Sequence, residues 1–325
     1  MRPDVKKRNY SFLIKLLCSS CLIGWFLWRY DVARIIKILL SISPSAISII
    51  LIIYIIGLYI AAAKWHLLLN DSDIKQLFLL SLIAQYYSLI LPGQIAGEVV
   101  KMYKLGHGHQ CAERVAVSVV IDRVTGLISL ILVGLAGLIW SKEGISEHIT
   151  PWFVLFFIIL AGVLFSLHFS SFEVAVRKLF LLIQNSFHRA EKIVNTGFRF
   201  IDAWRQYLRN PLILLKSLFY GIAFQLINVC IYLMFANAIG ISLPFSDWCW
   251  IFGVISMVVF LPITIGGIGL REGGFVFILG NLGILSEKAL ALSLSLFGLR
   301  VLGAFIGGIT EFKAHFNTKS SQSGK

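Results

Sequence analysis

Charged residues are scarce in this 325-residue chain. Only 14% of its residues are Asp, Glu, Lys or Arg, whereas about a quarter are charged in an ordinary soluble domain. Hydrophobic residues make up 58% of the chain, and the mean hydropathy is +0.85. The composition therefore excludes a soluble globular protein and predicts an all-α polytopic membrane protein.

The motifs on which most enzymes depend are also lacking. The sequence contains no nucleophile elbow, no phosphate-binding loop and no pair of carboxylates beside a plausible base. The connections between apolar segments are short, so we expect no separate soluble catalytic domain. We therefore predict that the protein is not an enzyme and uses no cofactor.

The five cysteines do not form the pattern of a disulfide framework. Cys18 and Cys21 form a C-x-x-C pattern inside the first apolar segment, where a thiol usually behaves as a small hydrophobic group. His107, His109 and Cys111 look superficially like metal ligands, but their loop offers no convincing fourth ligand. We predict no metal site.

The charges that are present are mostly positive. The formal net charge is +13, from 29 Lys and Arg against 16 Asp and Glu. Cytoplasmic loops of membrane proteins collect Lys and Arg in this way. Since there is no basic soluble face to which a nucleic acid could bind, we interpret the charge as a determinant of membrane topology.

Eight hydrophobic segments follow one another along the chain. Six of them are candidate spanning helices, at about 11–28, 44–63, 113–140, 151–169, 211–239 and 288–311. A first half, 1–170, and a second half, 212–312, are joined by a basic amphipathic linker at 171–211. We expect the polar tail at 313–325 to be disordered.

The remaining two hydrophobic segments are interrupted in the same manner. In each, an apolar helix ends at a Pro/Gly break and restarts with charged residues. The breaks contain Pro92, Gly93 and Gly97 in the first half, and Pro262, Gly266, Gly267 and Gly269 in the second. Backbone that leaves helical geometry at membrane depth is tolerated only where protein or a water-filled cavity supplies hydrogen-bond partners. Such breaks in corresponding halves indicate a binding site between two repeats.

The distribution of basic residues favours two re-entrant hairpins. If both interrupted segments return to the side from which they entered, six helices span the membrane and both termini are cytoplasmic. Most of the 29 basic residues then face the cytoplasm. The first break enters from the cytoplasm and the second from outside, which is the arrangement of an inverted repeat.

The second break is the main candidate binding site. Backbone N–H groups of Gly266, Gly267 and Gly269 would point into a cavity at the start of the restarted helix, where the dipole favours an anion. Arg271 could add a bidentate phosphate contact. Alternatively, the glycines only allow close helix packing and Arg271 pairs with Glu272 or another carboxylate. We favour a functional cavity because both the break and its charges need an explanation at membrane depth.

Other charged residues in apolar segments complete the candidate site. Glu98 and Lys101 share one helix face, so they form either an internal ion pair or part of a substrate or proton site. Asp122 and Arg123 are adjacent and point to different sides, so each needs a partner on another segment. Arg300 lies in the middle of the last span and must face the interior. It could neutralise a glutamate near either break, or meet a lipid phosphate.

Together these motifs resemble the flippase-like membrane family, which is related to the transmembrane region of lysylphosphatidylglycerol synthases, the multiple peptide resistance factors. The resemblance covers about 11–312. Its motifs are Lys64-Trp65, Pro92-Gly93, Gly97-Glu98 with Lys101, Asp122-Arg123 with Gly126, Pro262, Gly266-Gly267, Gly269 and Arg271-Glu272. In that family the membrane region is associated with moving lipids between leaflets: aminoacylated phosphatidylglycerol in full-length synthases, and polyisoprenyl-linked or hopanoid lipids suggested for stand-alone members.

The chain departs from the full-length synthases by ending soon after its last span, so the resemblance implies a stand-alone member without synthase activity. In the first motif, an acidic Glu stands where the family pattern has Asp, within a run of fewer glycines. The resemblance implies an inner-membrane translocase or lipid-export component for a phosphate-bearing lipid, with membrane lipids as partners and no nucleic acid. The sequence leaves the oligomeric state open, and a homo-oligomer is one option.

An alternative is a non-transporting membrane scaffold for a lipid-modifying or glycosyl-transfer enzyme, which would dock on the basic linker. A third hypothesis, an intramembrane enzyme acting on lipid phosphate, has no visible nucleophile and base to support it.

Single cysteines test the predicted topology. With the five native cysteines removed, we expect Lys104→Cys and Arg189→Cys to react with a membrane-impermeant maleimide only after permeabilisation, because both positions are cytoplasmic in the hairpin topology. Lys142→Cys, which is outside in the same topology, should react in intact spheroplasts. Labelling of the first two positions from outside would contradict the hairpins.

Overall fold

The computed structural model describes the chain over 29–69, 72–90, 96–106, 112–141, 209–260 and 267–323, together with 204–207 and Gly24, Trp25, Pro151, Leu155, Asp202 and Thr264. Regular secondary structure in these residues is entirely α-helical. The main helices are α1 (Val32–Leu40), α2 (Pro44–Leu68), α3 (Ile74–Ile90), α4 (Ala96–Gly106), α5 (Ala112–Trp140), α6 (Pro211–Ala238), α7 (Phe245–Phe260), α8 (Leu270–Asn281) and α9 (Ser286–Ser323). The predicted all-α polytopic fold is confirmed.

Four of these helices are long and apolar enough to cross a membrane: α2, α5 from Arg114, α6, and α9 as far as Lys313. They match four of the six predicted spans. The other two predictions, 11–28 and 151–169, and most of the basic linker fall outside the described residues. The tail differs from the expected disorder, because α9 continues to Ser323. No Pro or Gly interrupts the chain between Lys313 and Ser323.

Proline marks the start of two spanning helices. Pro44 opens α2, and the hydroxyl oxygen of Ser43 before it accepts a hydrogen bond from the Ala46 N–H at 3.3 Å. Pro211 opens α6 after Asn210. N–H groups in a first turn have no partner within the helix, so a proline is tolerated there and its φ suits a helix. These prolines set where the spans begin rather than kinking them.

Each interrupted segment is a pair of short helices that fold back on each other. At the start of α4, a Cβ atom on Gly97 would lie 2.5 Å from the carbonyl oxygen of Ala84 in α3. In α8, a Cβ atom on Gly274 would lie 2.7 Å from Cδ1 of Ile255 in α7. The chain therefore reverses at both breaks, as the hairpin prediction requires. Pro92, Gly93, Pro262 and Gly266 themselves lie outside the described residues.

The two halves repeat one order of elements. A spanning helix, a shorter apolar helix, a short charged helix and a second spanning helix have 25, 17, 11 and 29 residues in α2 to α5. In α6 to α9 the corresponding lengths are 28, 16, 12 and, within the span, 28 residues. Glu98 and Glu272 are each the third residue of the short charged helix. This supports the predicted repeat, while the membrane orientation of the halves stays a prediction.

The two halves interlock through their hairpins. α3 packs along α9 and α7 packs along α5, so each hairpin lies on the last spanning helix of the other half. The approach of α9 to α3 is so close that a Cβ atom on Gly307 would overlap the carbonyl oxygen of Leu82. Nearby, Lys104 of α4 pairs with Glu311 of α9, and the Tyr87 hydroxyl donates to the same carboxylate at 3.1 Å.

Replacing Gly307 by alanine tests this packing. We expect Gly307→Ala to destabilise the purified protein by about 1–3 kcal/mol, because the added methyl group forces α9 away from α3. The matched control is Gly298→Ala on the same helix, where a Cβ atom would meet nothing within 4 Å. The control should stay within about 1 kcal/mol of wild type, on the stabilising side. Equal thermal unfolding midpoints for the two variants would contradict the close approach.

Candidate functional site

A cavity of about 480 Å³ lies between the two halves, and all eight helices from α2 to α9 contribute to its lining. Its charged lining residues are Lys64, Glu98, Lys101, Asp122, Arg123, Arg271 and Arg300. Six of these seven are residues that the sequence singled out as substrate-binding candidates. The fold thus brings together charges from segments that are far apart in the chain. Their role in binding stays a prediction.

At the first hairpin, Glu98 joins α4 to α5. Its Oε1 accepts hydrogen bonds from a terminal guanidinium nitrogen of Arg123 at 2.8 Å and from Nζ of Lys101 at 3.4 Å. The ammonium of Lys101 also lies 5.2 Å from the ring centroid of Trp65, which is a favourable cation–π distance. The predicted internal ion pair is present, and both of its members also line the cavity.

Two cations favour the charged form of Glu98, which lies in α4, outside the four spanning helices. Burial raises the pKa of the Glu98 carboxyl, but Lys101 and Arg123 lower it by more, so the pKa lies below its usual value. The first hairpin therefore carries a carboxyl group with two cations beside it.

Asp122 is held by a residue that the sequence marked only as part of a family motif. Nζ of Lys64 in α2 lies 3.1 Å from Oδ1 of Asp122 and donates to the Asp122 carbonyl oxygen at 2.7 Å. Gly126, one turn further along α5, lies beside this ammonium, and a Cβ atom there would be in ordinary van der Waals contact with Nζ at 3.5 Å. Asp122 and its neighbour Arg123 thus find partners on different helices, α2 and α4, as adjacent residues on one helix require.

At the second hairpin, Glu272 caps its own helix. The N–H of Gly269, whose φ is +88°, donates to Oε2 of Glu272 at 2.6 Å. A carboxylate at a helix start is stabilised by the dipole and by the unpaired N–H groups. The N–H of Gly269, which the sequence predicted to face an anion, therefore donates to Glu272 in this structure. Gly267 packs on Val259, where a Cβ atom would lie 2.6 Å from Cγ1.

Arg271 is buried, with 2% of its surface exposed. Its Nε donates to Oγ of Ser293 at 2.8 Å, and one terminal nitrogen donates to Oε1 of Glu272 at 2.8 Å. The guanidinium lies 5.4 Å from the ring centroid of Phe297. Its second terminal nitrogen, Nη1, is buried without a hydrogen-bond partner. The predicted pairing with Glu272 is thus present, and one donor of the arginine stays free beside the cavity.

Two further donors of the cavity lining are free. Arg300 is exposed there, and no carboxylate of the described residues lies within ion-pair distance of it. The hydroxyl of Tyr54 in α2 is buried without a hydrogen-bond partner. The sequence missed Tyr54, since a tyrosine in an apolar helix carries no distinguishing signal. Guanidinium and hydroxyl donors of this kind suit an anion.

No group of three or more His, Cys, Asp or Glu side chains that could hold a metal ion occurs in the part of the chain that the structure describes. His107, His109 and Cys111 lie outside that part.

A multi-pass helical membrane protein with two interlocked hairpins around a charged central cavity is the class that the fold and the site define. The chain belongs to the family described as the lysylphosphatidylglycerol synthase TM region, whose model matches residues 12–308. A protein named "UPF0104 membrane protein" from Methanothermobacter thermautotrophicus is 22% identical over 302 aligned residues, which cover 84% of this chain and 83% of the relative. No solved structure gave a significant match. The family resemblance seen in the sequence is confirmed.

Neutralising Lys64 tests the buried pair with Asp122. We expect Lys64→Met to destabilise the protein by about 2 kcal/mol or more, because it leaves a carboxylate in the cavity wall without its cation. In Lys64→Met/Asp122→Asn the unpaired charge is gone, so much of the loss should be recovered. Lys216→Met, at an exposed position of α6, is the matched control and should unfold like wild type. A double variant as unstable as the sum of its two single variants would contradict the pairing.

Proposed function

We propose that the chain is a flippase-like lipid translocase, or a lipid-export component, that moves a phosphate-bearing lipid between membrane leaflets. A phospholipid or a polyisoprenyl-linked lipid fits this description. The observation that carries the proposal is the charged cavity between the two hairpins. Membership of a family named after the membrane region of a lipid synthase also supports it.

The cavity addresses the main physical obstacle to lipid movement. A charged head group pays a large desolvation cost in hydrocarbon, whereas its chains can stay in the bilayer. A polar cavity that lies amid spanning helices lowers this cost by replacing water with charged side chains and hydroxyl groups. Its volume of about 480 Å³ is within the usual range for ligand pockets, about 300–1,000 Å³.

In this proposal the charged residues divide into two roles. Arg271 and Arg300, with Arg123, contact the phosphate. Glu98 and its counterpart Glu272 balance charge or couple transport to protons. Asp122 and Lys101 complete the charge balance at the first hairpin. The chain itself then catalyses no chemical reaction.

The same proposal assigns the protein to the inner membrane of the cell envelope, with both termini cytoplasmic. Membrane lipids are its partners, and the proposal does not require a homo-oligomer. The scaffold alternative depends on the basic linker at 171–211, which lies mostly outside the described residues. No described contact favours it over transport.

Head-group translocation in liposomes is the direct test. We expect the purified protein to move at least one lipid from a panel of fluorescent phosphate-bearing lipids. Arg271→Ala and Glu98→Gln should each lower the rate at least about tenfold, since hydrogen bonds to charged groups contribute about 1.5–3 kcal/mol. Lys216→Ala, a charge removed outside the cavity lining, should transport like wild type.

Size-exclusion profiles and unfolding midpoints must show that the variants fold, because Glu272 loses its cation in Arg271→Ala. Glu98→Gln is nearly isosteric and leaves the pair of Arg271 with Glu272 intact, so it tests transport without that disturbance. Wild type that moves no lipid, or folded variants that both keep the full rate, would contradict the proposal.

A further inference from the structure

We propose that the cavity selects a lipid head group of net negative charge, and that Arg300, the hydroxyl of Tyr54 and Nη1 of Arg271 bind it. A cationic, aminoacylated head group is then rejected. This inference rests on the proposed function, in which the cavity is the head-group site. It specifies the charge of the head groups that the site accepts.

The carboxylates around the cavity are already neutralised by cations of the chain. Each already pairs with a cation of the chain: Glu98 with Arg123 and Lys101, Asp122 with Lys64, and Glu272 with Arg271. Among the charged residues of the lining, five are cationic and two are anionic. Even with Glu272 counted, the described cavity carries an excess of positive charge.

The free donors converge on one stretch of α9. The guanidinium of Arg271 lies against the ring of Phe297, one turn before Arg300. The hydroxyl of Tyr54 lies beside Gly303, one turn after Arg300, where a Cβ atom would be 2.5 Å from it. Side chains at i and i+3 share a helix face. Arg271, Phe297, Arg300 and Tyr54 all line the cavity. The residues that carry the free donors therefore lie around one part of its wall.

These donors match the chemistry of a phosphate and not that of an ammonium. Guanidinium and hydroxyl groups donate hydrogen bonds to phosphate oxygens, and the arginine fork suits that geometry. An ammonium group is best bound by carboxylates, and those of this cavity already pair with cations of the chain. Bringing a lysyl group into a wall with excess positive charge would add repulsion, which is strongest where water is excluded. The burial of an unpaired donor on Arg271 has a natural explanation if an anion completes its hydrogen bonds.

The transport test compares three lipids in liposomes that contain the full-length chain: phosphatidylglycerol, phosphatidylcholine and lysylphosphatidylglycerol. Each carries its fluorophore on an acyl chain, so that the head-group charge is unaltered. We expect phosphatidylglycerol to move at least about tenfold faster than lysylphosphatidylglycerol. Arg300→Gln should slow the movement of phosphatidylglycerol at least about tenfold, because a charged hydrogen bond is lost. The ratio of the phosphatidylglycerol rate to the lysylphosphatidylglycerol rate should therefore fall.

Two further variants test the hydroxyl contact and control for loss of charge elsewhere. Tyr54→Phe removes one oxygen atom and should slow phosphatidylglycerol severalfold if the hydroxyl contacts the phosphate. Lys216→Gln removes one positive charge from an exposed position of α6 outside the lining, and it should leave the ratio unchanged. Lysylphosphatidylglycerol moving as fast as phosphatidylglycerol, or a ratio that does not respond to Arg300→Gln, would overturn the inference.

A binding test separates this inference from transport. Water-soluble dihexanoyl forms of the same lipids are added to the protein in detergent, with inorganic phosphate as a further sample, and the unfolding midpoint is measured. A ligand that binds only the folded state raises that midpoint. We expect the phosphatidylglycerol form to raise it in wild type, the lysyl form to have little effect, and Arg300→Gln to abolish the rise.

The two tests fail in different ways. Arg300-dependent stabilisation without movement of any lipid would contradict the proposed transport but support selection of an anionic head group. Stabilisation by the lysyl form that equals stabilisation by phosphatidylglycerol would overturn the selection. An equal effect of inorganic phosphate would show that a free anion suffices, and would overturn a lipid as the source of the phosphate.

Discussion

An ionised side chain inside an apolar helix has no water to solvate it, and the arrangement of the described helices depends on this constraint. The pair of Lys64 with Asp122 joins α2 to α5, and the pair of Glu98 with Arg123 joins α4 to α5. Ion pairs buried in this way cost desolvation energy and add little net stability. What these pairs do supply is charged lining for the central cavity, which hydrophobic side chains could not provide.

The repeat gives both hairpins the same construction but different electrostatics. In the first half, the glutamate after the break reaches across to Arg123 on the following helix. In the second half, the equivalent Glu272 turns back to its own helix start and to Arg271, so that Arg300 on the following helix is left without a carboxylate. Each half contributes one cation more than its carboxylates: Lys64, Lys101 and Arg123 against Glu98 and Asp122 in the first half, and Arg271 and Arg300 against Glu272 in the second. The two halves therefore differ in how these charges pair and not in their sum.

Hydropathy and the Pro/Gly breaks were sufficient to predict the helical class, the described spans and the reversal of the chain at both hairpins, because these features depend on local sequence. Pairing was not predictable to the same degree. The adjacency of Asp122 and Arg123 showed that they need separate partners, but helix packing decides that Lys64 is one of them. A lysine near the end of a span usually extends to the interface, and nothing local distinguishes Lys64 from that case. The spacing of Gly269 and Glu272 matches a helix cap, a signal that could have been read from the sequence.

The packing of each hairpin on the last helix of the other half also constrains biogenesis. Lys104 and Glu311 are 207 residues apart in the chain, and the contact of Gly307 with α3 cannot form until α9 has been synthesised. The ribosome thus delivers the first hairpin to the membrane well before its partner exists. During that interval Glu98 can already pair with Lys101 and Arg123 of the first half, whereas Lys104 has to wait for Glu311. Packing of the two halves is completed only when the final helix enters the bilayer.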